Sequence, residues 1–475
     1  MPRPTRIKPV PSAFSAGILV CLAIGGGGCA AVPRDEADPG RAVAEATGIG
    51  APVQFIAVGP EGGPIDEPDA AGPSLSLPEA LRRAVTTDPG LQAAMARVRA
   101  AAADSDQARL VPNPVLNVVL RWGGGPPQIE ASLAQDFIAV LQIPRRASAA
   151  DNRLRAAAAA AVTVALDVAA DVQERYASAQ ASAALVPLFR ERLALLEKLA
   201  VTAAARLDAG EGTRGDITTL RAQRVELELE IDIAQLAERE NRLRLARLIG
   251  EPGSGAAWTL DPWSSPERGT LIEQSWIEAG LQHRPEIQEQ VWRLRALGDD
   301  AAVASLLPWD GAAAGVDAQR DDGWAVGPSV SSPLPVFDSG SARGDRLTAE
   351  QMEARHHLTL LKRTVVEEVR LAFESLNASA ANVSRIRRDL LPLQTQRRQL
   401  AEDAYRAGQS DVTSLYLAEH DLRLAQTRAI EVERQAAGAM VRLCRAAGGA
   451  GVAASLMTKQ PVEGGPLSPE RGDHQ

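Results

Sequence analysis

The chain has 475 residues, 45% of them apolar but only 3% aromatic, with a net charge of −9 and a sequence pI near 5.3. That acidic balance excludes a protein organised around a basic nucleic-acid face. Much of the apolar fraction is alanine, which favours long, closely packed helices over one large globular core.

Residues 1–28 read as a secretory signal. Arg3, Arg6 and Lys8 form a basic start, Ala13 to Ile24 an apolar stretch, and four glycines precede Cys29. Small residues before a cysteine resemble the lipobox of a bacterial lipoprotein, so Cys29 is the expected lipid anchor; ordinary signal cleavage nearby is the alternative. Ala30 after the cysteine favours the outer membrane. With Cys21 and Cys29 so assigned, only Cys444 remains, and no internal disulfide is expected. Residues 29–73 are rich in Pro, Gly, Asp and Glu and are expected to form a flexible tether, with Val53 to Val58 free to dock locally.

From residue 74 the chain repeats itself. Pro89 and Pro285 are 196 residues apart, and Pro112 and Pro308 keep the same offset (285 − 89; 308 − 112). A period this long is no solenoid repeat; it predicts two similar halves, 74–262 and 263–450. Each half has the order short helix, helix, strand pair, long helix, turn, long helix. Strands are expected at about 114–122, 129–137, 312–319 and 324–332. In the first, Leu116, Val118, Leu120 and Trp122 alternate with Asn117, Val119 and Arg121. The others alternate in the same way, with Glu130, Asp136, Asp317 and Gln319 on the polar side. Strands of about 9 residues are near the length that crosses a bilayer when tilted. Trp122 and Trp324 sit at strand ends, where a membrane girdle would lie. A soluble hairpin is the alternative, and Pro328 counts against a regular ladder. After the N-terminus no unbroken run of 18 apolar residues occurs, so no helical membrane span is expected.

Leu415, Leu422, Ala429, Ala436 and Leu443 recur every seven residues, with Ala418, Ala425, Val432 and Ala439 three later than the first four. This is an alanine-rich coiled-coil seam. In the first half Leu229, Leu236 and Leu243 form one seam, and Ile217, Leu220, Leu227 and Ile231 a second. Two seams imply neighbours on two sides. Hairpin tips are expected at 208–216 and 407–412, around Gly210 and Gly408. Pro187 and Pro392 are expected to kink the long helices as counterparts. Pro187 lies 23 residues before Gly210 and Pro392 16 before Gly408, a difference of one heptad. Residues 451–475 are expected to be a disordered tail.

No phosphate loop, CxxC pair or HExxH sequence is present, so neither an enzyme nor a cofactor is expected. His356, His357 and His420 are expected to be solvated or packed, not metal ligands. The Glu/Arg run from Glu226 to Glu240 reads as a solvated face with intrahelical pairs.

Leu77-Pro78-Glu79-Ala80-Leu81 before Pro89, Pro112-Asn113-Pro114 before the first strand, the Ala-Gly turns, and Pro335-Val336-Phe337-Asp338-Ser339-Gly340 resemble, in their order, the TolC family of outer-membrane efflux channels. The resemblance covers about residues 74–448. It implies a mainly α fold with a small transmembrane β part: long coiled-coil hairpins and four membrane-crossing strands per chain, closed as a homotrimeric twelve-stranded barrel. It also implies passive conduction from an inner-membrane pump and periplasmic adaptor. Asn117, Arg121, Glu130, Asp136, Asp317 and Gln319 would face the lumen, and Trp122 and Trp324 the membrane interface. Gly210, Asp216, Gly408, Asp411 and Ser414 would lie at the periplasmic tip. Asp216 matches the family's tip acid, whereas the second turn has Ser414 and Leu417 at the aspartate positions and Asp411 as its nearest acid. Asp216 and Asp411 are expected either to form a weak acidic gate or to cap helices. The rival reading is a periplasmic coiled-coil adaptor or scaffold lipoprotein without a pore.

Overall fold

A computed structural model describes residues 38–64, 72–123, 127–210, 212–263, 271–320 and 323–459. The signal, Cys29 and residues 460–475 lie outside the described residues. The chain divides into two compact units. Of the described residues, one unit holds Ala102–Asn152 and Ala296–Thr348; the other holds Asp38–Ala101, Arg153–Arg295 and Ala349 onward. Each unit draws on both sequence halves.

The elements in chain order begin with α1 (Pro39–Thr47), β1 (Ser74–Leu75), α2 (Leu77–Thr87), α3 (Pro89–Ala108), β2 (Val115–Arg121) and β3 (Gln128–Asp136). Next come α4 (Phe137–Asp208), α5 (Arg214–Leu248), β4 (Thr259–Leu260), α6 (Glu273–His283) and α7 (Pro285–Ala304). The chain finishes with β5 (Ala313–Arg320), β6 (Trp324–Ser331), α8 (Ser341–Arg385), a π turn (Ile386–Leu390), α9 (Leu391–Arg406), α10 (Val412–Ala446) and α11 (Ala450–Lys459). The duplication is exact in the short helices: α6 and α7 repeat α2 and α3 with equal lengths. The breaks between them have one cause. Asp88 and Arg284 precede prolines and are extended, ψ 120° and 125°, which ends the helix before each.

In the helical unit, α5 and α10 are both 35 residues long and begin just after their turns. Trp276, Val369, Phe373, Leu443 and neighbouring alanines form one core cluster, and Tyr176, Leu245, Ile249 and Trp258 sit in another. The Tyr176 hydroxyl donates to the Leu75 carbonyl at 2.9 Å, beside the short parallel pair of β1 and β4. The seam on α10 is buried at Leu415, Ala418, Ala425, Ala429, Ala436, Ala439 and Leu443. Cys444, at its end, is partly buried, and desolvation pushes its thiol up to about 11.

Three expectations are corrected. The tether is partly folded: α1 is capped by Asp38, and Val43, Ile49 and Val53 pack against Val85, Leu91 and Met95. An amphipathic turn of helix outweighed the Pro/Gly composition. The start of the tail forms α11, whose Ala453 enters the core with Leu443 and Ala447. The two prolines are not counterparts. Gly210 and Gly408 are 198 apart (408 − 210), which places Pro187 opposite Arg385, and the one-heptad difference disappears. Pro187 lies inside the unbroken α4, whose 72 residues span roughly 110 Å. Pro392, without an N–H, follows the π turn, where the Leu391 N–H bonds the Ile386 carbonyl. Leu229, Leu236 and Leu243 are exposed, so only the second seam of α5, at Leu220, Leu227 and Ile231, packs within the chain. Among the described residues, α4 is the one helix with a stretch long and apolar enough to cross a membrane by length and composition alone, and 39% of that stretch is buried.

Candidate functional site

In the smaller unit, β2, β3, β5 and β6 form one antiparallel sheet in that order. Alternation along each strand and the register across them sort the side chains onto two faces. One face carries Leu116, Val118 and Leu120 opposite Leu133, Ala131 and Ile129. These continue to Val316 and Ala318, then to Pro328 and Val326. Arg320, opposite Ile129, and Gln135, opposite Ala314, share its parity at the two ends; the stretch between them is apolar and uncovered, with Leu116 67% exposed and Val330 76%. A soluble sheet would bury such a face. Pro328 is accommodated because β6 is an edge strand.

The opposite face holds all six polar positions expected there. Asn117 lies opposite Ser132, which lies opposite Asp317; Glu130 lies opposite Gln319; Arg121 and Asp136 share the parity. Arg121 and Glu130 form an ion pair. Asp317 accepts a hydrogen bond from the Ser329 hydroxyl at 3.1 Å. Asp136 has a second task, accepting the Ala139 N–H at 2.9 Å to cap α4.

Trp122 and Trp324 both stand at the turn end of the sheet, strongly exposed, with the Arg320 guanidinium over the Trp324 ring. The sequence reading missed a second aromatic group at the other end: Phe137 after β3, Trp309 before β5, and Phe337, fully exposed, after β6. Their signal was positional, an aromatic within six residues of the far end of three of the four strands.

The two hairpin turns belong to the helical unit. Gly210 and Gly408 adopt left-handed backbone, φ 78° and 68°, which ends α4 and α9 without a Cβ clash. Both acids beyond them cap helices, by interchanged chemistry. At the first turn Thr213 is the cap: its hydroxyl accepts the Asp216 N–H at 3.1 Å, and the Asp216 carboxylate accepts the Thr213 N–H at 3.0 Å. At the second, Asp411 is the cap and accepts from the Ser414 N–H at 3.0 Å and hydroxyl at 2.8 Å. The Ser414 hydroxyl, then its N–H, hold the Asp411 carboxyl below the usual aspartate value. Each acid is satisfied within its own turn, and among the described residues no bond joins them.

Above the tips, α10 carries buried charge. Arg423 pairs with Glu230 of α5 and contacts His420 Nδ1 at 2.9 Å; Glu419 accepts from Arg398 at 2.6 Å. Arg192 of α4 donates to the Glu419 carbonyl, and burial, then the Arg423 charge, lower its pKa to about 10. Glu230 therefore pairs between helices, whereas Glu228, Glu238 and Glu240 make the intrahelical pairs expected. No cluster of His, Cys, Asp and Glu able to hold a metal occurs among the described residues.

No protein-family model matches the chain. A 203-residue stretch is 30% identical to the fusaric acid resistance protein FusA of Burkholderia cepacia, covering 40% of this chain and 38% of that protein. The solved structures extend much further. The outer-membrane channel OprN matches at a TM-score of 0.66 with 20% identity, over 79% of this chain and 90% of its own. CusC, described as undergoing transmembrane channel formation, matches at 0.66 with 17% identity, over 79% and 92%. The outer membrane protein VceC of Vibrio cholerae matches at 0.66 with 19% identity, over 78% and 96%.

The chain has the TolC-type fold. Its mainly helical build with a small β part is that of the TolC-type α/β-barrel channels, and those neighbours are channel proteins, not enzymes. At 17–20% identity the TolC-type likeness is one of fold.

Proposed function

We propose that this chain is the outer-membrane exit channel of an efflux or export system, passively conducting cargo delivered by an inner-membrane pump and a periplasmic adaptor. The observation that carries the reading is the four-stranded sheet, whose apolar face is bare and whose β2 and β6 edges are unpaired among the described residues. Open edges and an apolar exterior are costly in water. Three copies joined edge to edge would close a twelve-stranded barrel, removing every edge and giving the apolar face to lipid. Asn117, Arg121, Glu130, Asp136, Asp317 and Gln319 would then line a wet lumen, with Trp122 and Trp324 at one membrane interface and Phe137, Trp309 and Phe337 towards the other. Gly210, Asp216, Gly408, Asp411 and Ser414 would form the end that meets the adaptor. Cys29 would carry lipid as a further anchor. The FusA likeness, to a protein named for resistance to an organic acid, supports efflux as the setting.

The test is oligomeric mass together with conductance in a planar bilayer. A trimer with discrete, long-lived steps is expected. A detergent-free soluble monomer without conductance would replace this reading with the scaffold lipoprotein.

A further inference from the structure

The groove beside the π turn has no part in the channel reading. Its cavity of about 560 Å³ lies between the run α8 to α9 and α10, inside the helical unit of one chain. Clefts of roughly 300–1,000 Å³ are of the size that holds small molecules. The floor is aliphatic: Ile386, 7% exposed, with Leu390, Leu393 and Val432 beside it. The π turn shapes this floor, because its last bond runs from the Leu391 N–H to the Ile386 carbonyl, five residues back. The first half has no such turn: α4 is unbroken through Pro187, the position opposite Arg385. The duplicated fold therefore does not impose the π turn, and π turns concentrate at functional sites.

The walls are charged and unpaired. Arg385 at the end of α8, Asp389 in the π turn and Arg428 on α10 make no ion pair or side-chain hydrogen bond among the described residues. Other arginines along this hairpin are paired: Arg387 with Glu433, Arg397 with Asp421, Arg398 with Glu419 and Arg434 with Glu431. Two guanidiniums against one carboxylate leave the lining with a net positive charge above an aliphatic floor. A guanidinium fork matches the oxygens of a carboxylate. The aliphatic floor adds nothing for a small hydrated ion, whereas it gains from covering a hydrocarbon body.

We propose that this groove binds a small amphipathic organic anion, its carboxylate between Arg385 and Arg428 and its aromatic or branched aliphatic body on Ile386, Leu390 and Leu393. A bound anion ties α8 to α10 across the π turn and so stabilises the folded chain by mass action. The inference goes beyond the channel reading and depends on neither a pore nor a ring, since the whole site belongs to one chain.

The test is equilibrium dialysis of the full-length protein in detergent against naphthoate, with protein-free micelles as the reference. The parent is expected to take up one anion per chain. Neutral naphthamide is expected to bind the parent roughly tenfold or more weakly, because it cannot form the charge-assisted bonds. Arg385→Gln with Arg428→Gln, both at exposed positions, is expected to bring naphthoate down to the naphthamide level. No uptake by the parent, equal naphthoate uptake by parent and double variant, or naphthamide bound as tightly as naphthoate would overturn the proposal. A second arm locates the site. Naphthoate is expected to slow maleimide labelling of Leu393→Cys severalfold, but not of Leu400→Cys one heptad on, with the parent chain as the blank for its native cysteines. Protection at both positions or at neither also overturns it.

Discussion

At the residue scale, the hairpin tips show two side-chain solutions to one backbone problem. Each helix must satisfy N–H groups that have no intrahelical partner. Thr213 does so with Asp216 returning the bond, and Asp411 does so on Ser414. Thr213→Ala is expected to destabilise the first turn of α5 by about 1 kcal/mol, seen as faster amide exchange confined to residues near the tip. Asp411 has a lowered folded pKa, below 3.8. Its contribution is therefore present at neutral pH, persists as pH falls to about 3.8, and is lost as pH falls through the folded value. Exchange at the Ser414 amide against pH should show that order. If Asp411 also gates cation flow, Asp411→Ala will change single-channel conductance; unchanged conductance and cation preference leave it as a cap alone. The acids were legible in the sequence. The division of labour was not, because it depends on which of two residues takes the cap position.

At the element scale, two features decide how strands and helices meet. Gly315 lies in β5 where an added Cβ would come 2.3 Å from the Leu133 carbonyl oxygen and 2.9 Å from the Ala134 Cα. Gly315→Val is expected to force β5 from β3 and abolish the heat-modifiable oligomer band on gels. On α10, charges sit inside an otherwise alanine seam. Glu230→Ala leaves Arg423 buried without its carboxylate and is expected to cost on the order of 3 kcal/mol, measured by urea unfolding. Arg192→Met should cost far less. Burial and the neighbouring Arg423 already depress the Arg192 pKa to about 10, so holding the cation there is itself unfavourable at neutral pH. Heptad spacing revealed the α10 seam, but not that Glu419, Arg423 and Glu433 would be buried in it. Period counting treats charge as solvated, whereas a long side chain reaches a partner on the next helix.

At the scale of the whole molecule, the chain leaves strand edges bare beside an apolar sheet face. Both are costly in water for a single copy, and in the proposed channel they would be covered by further copies of the chain and by lipid. The channel reading predicts an oligomer that resists mild detergent and falls to one chain on boiling.

The sequence alone determined what depends on local periodicity: the duplicated order of helices, the pre-proline breaks, the strand alternation that sorts polar from apolar faces, and the glycine turns. These are written in neighbouring residues because backbone dihedrals and side-chain direction are local. Only the tertiary structure decided that residues 39–55 and 450–459 are folded, that Pro187 and Pro392 are not equivalents, and that one α5 seam is packed while the other is bare. Those outcomes depend on which distant side chains are close enough to bury a surface, and spacing along the chain carries no record of that distance.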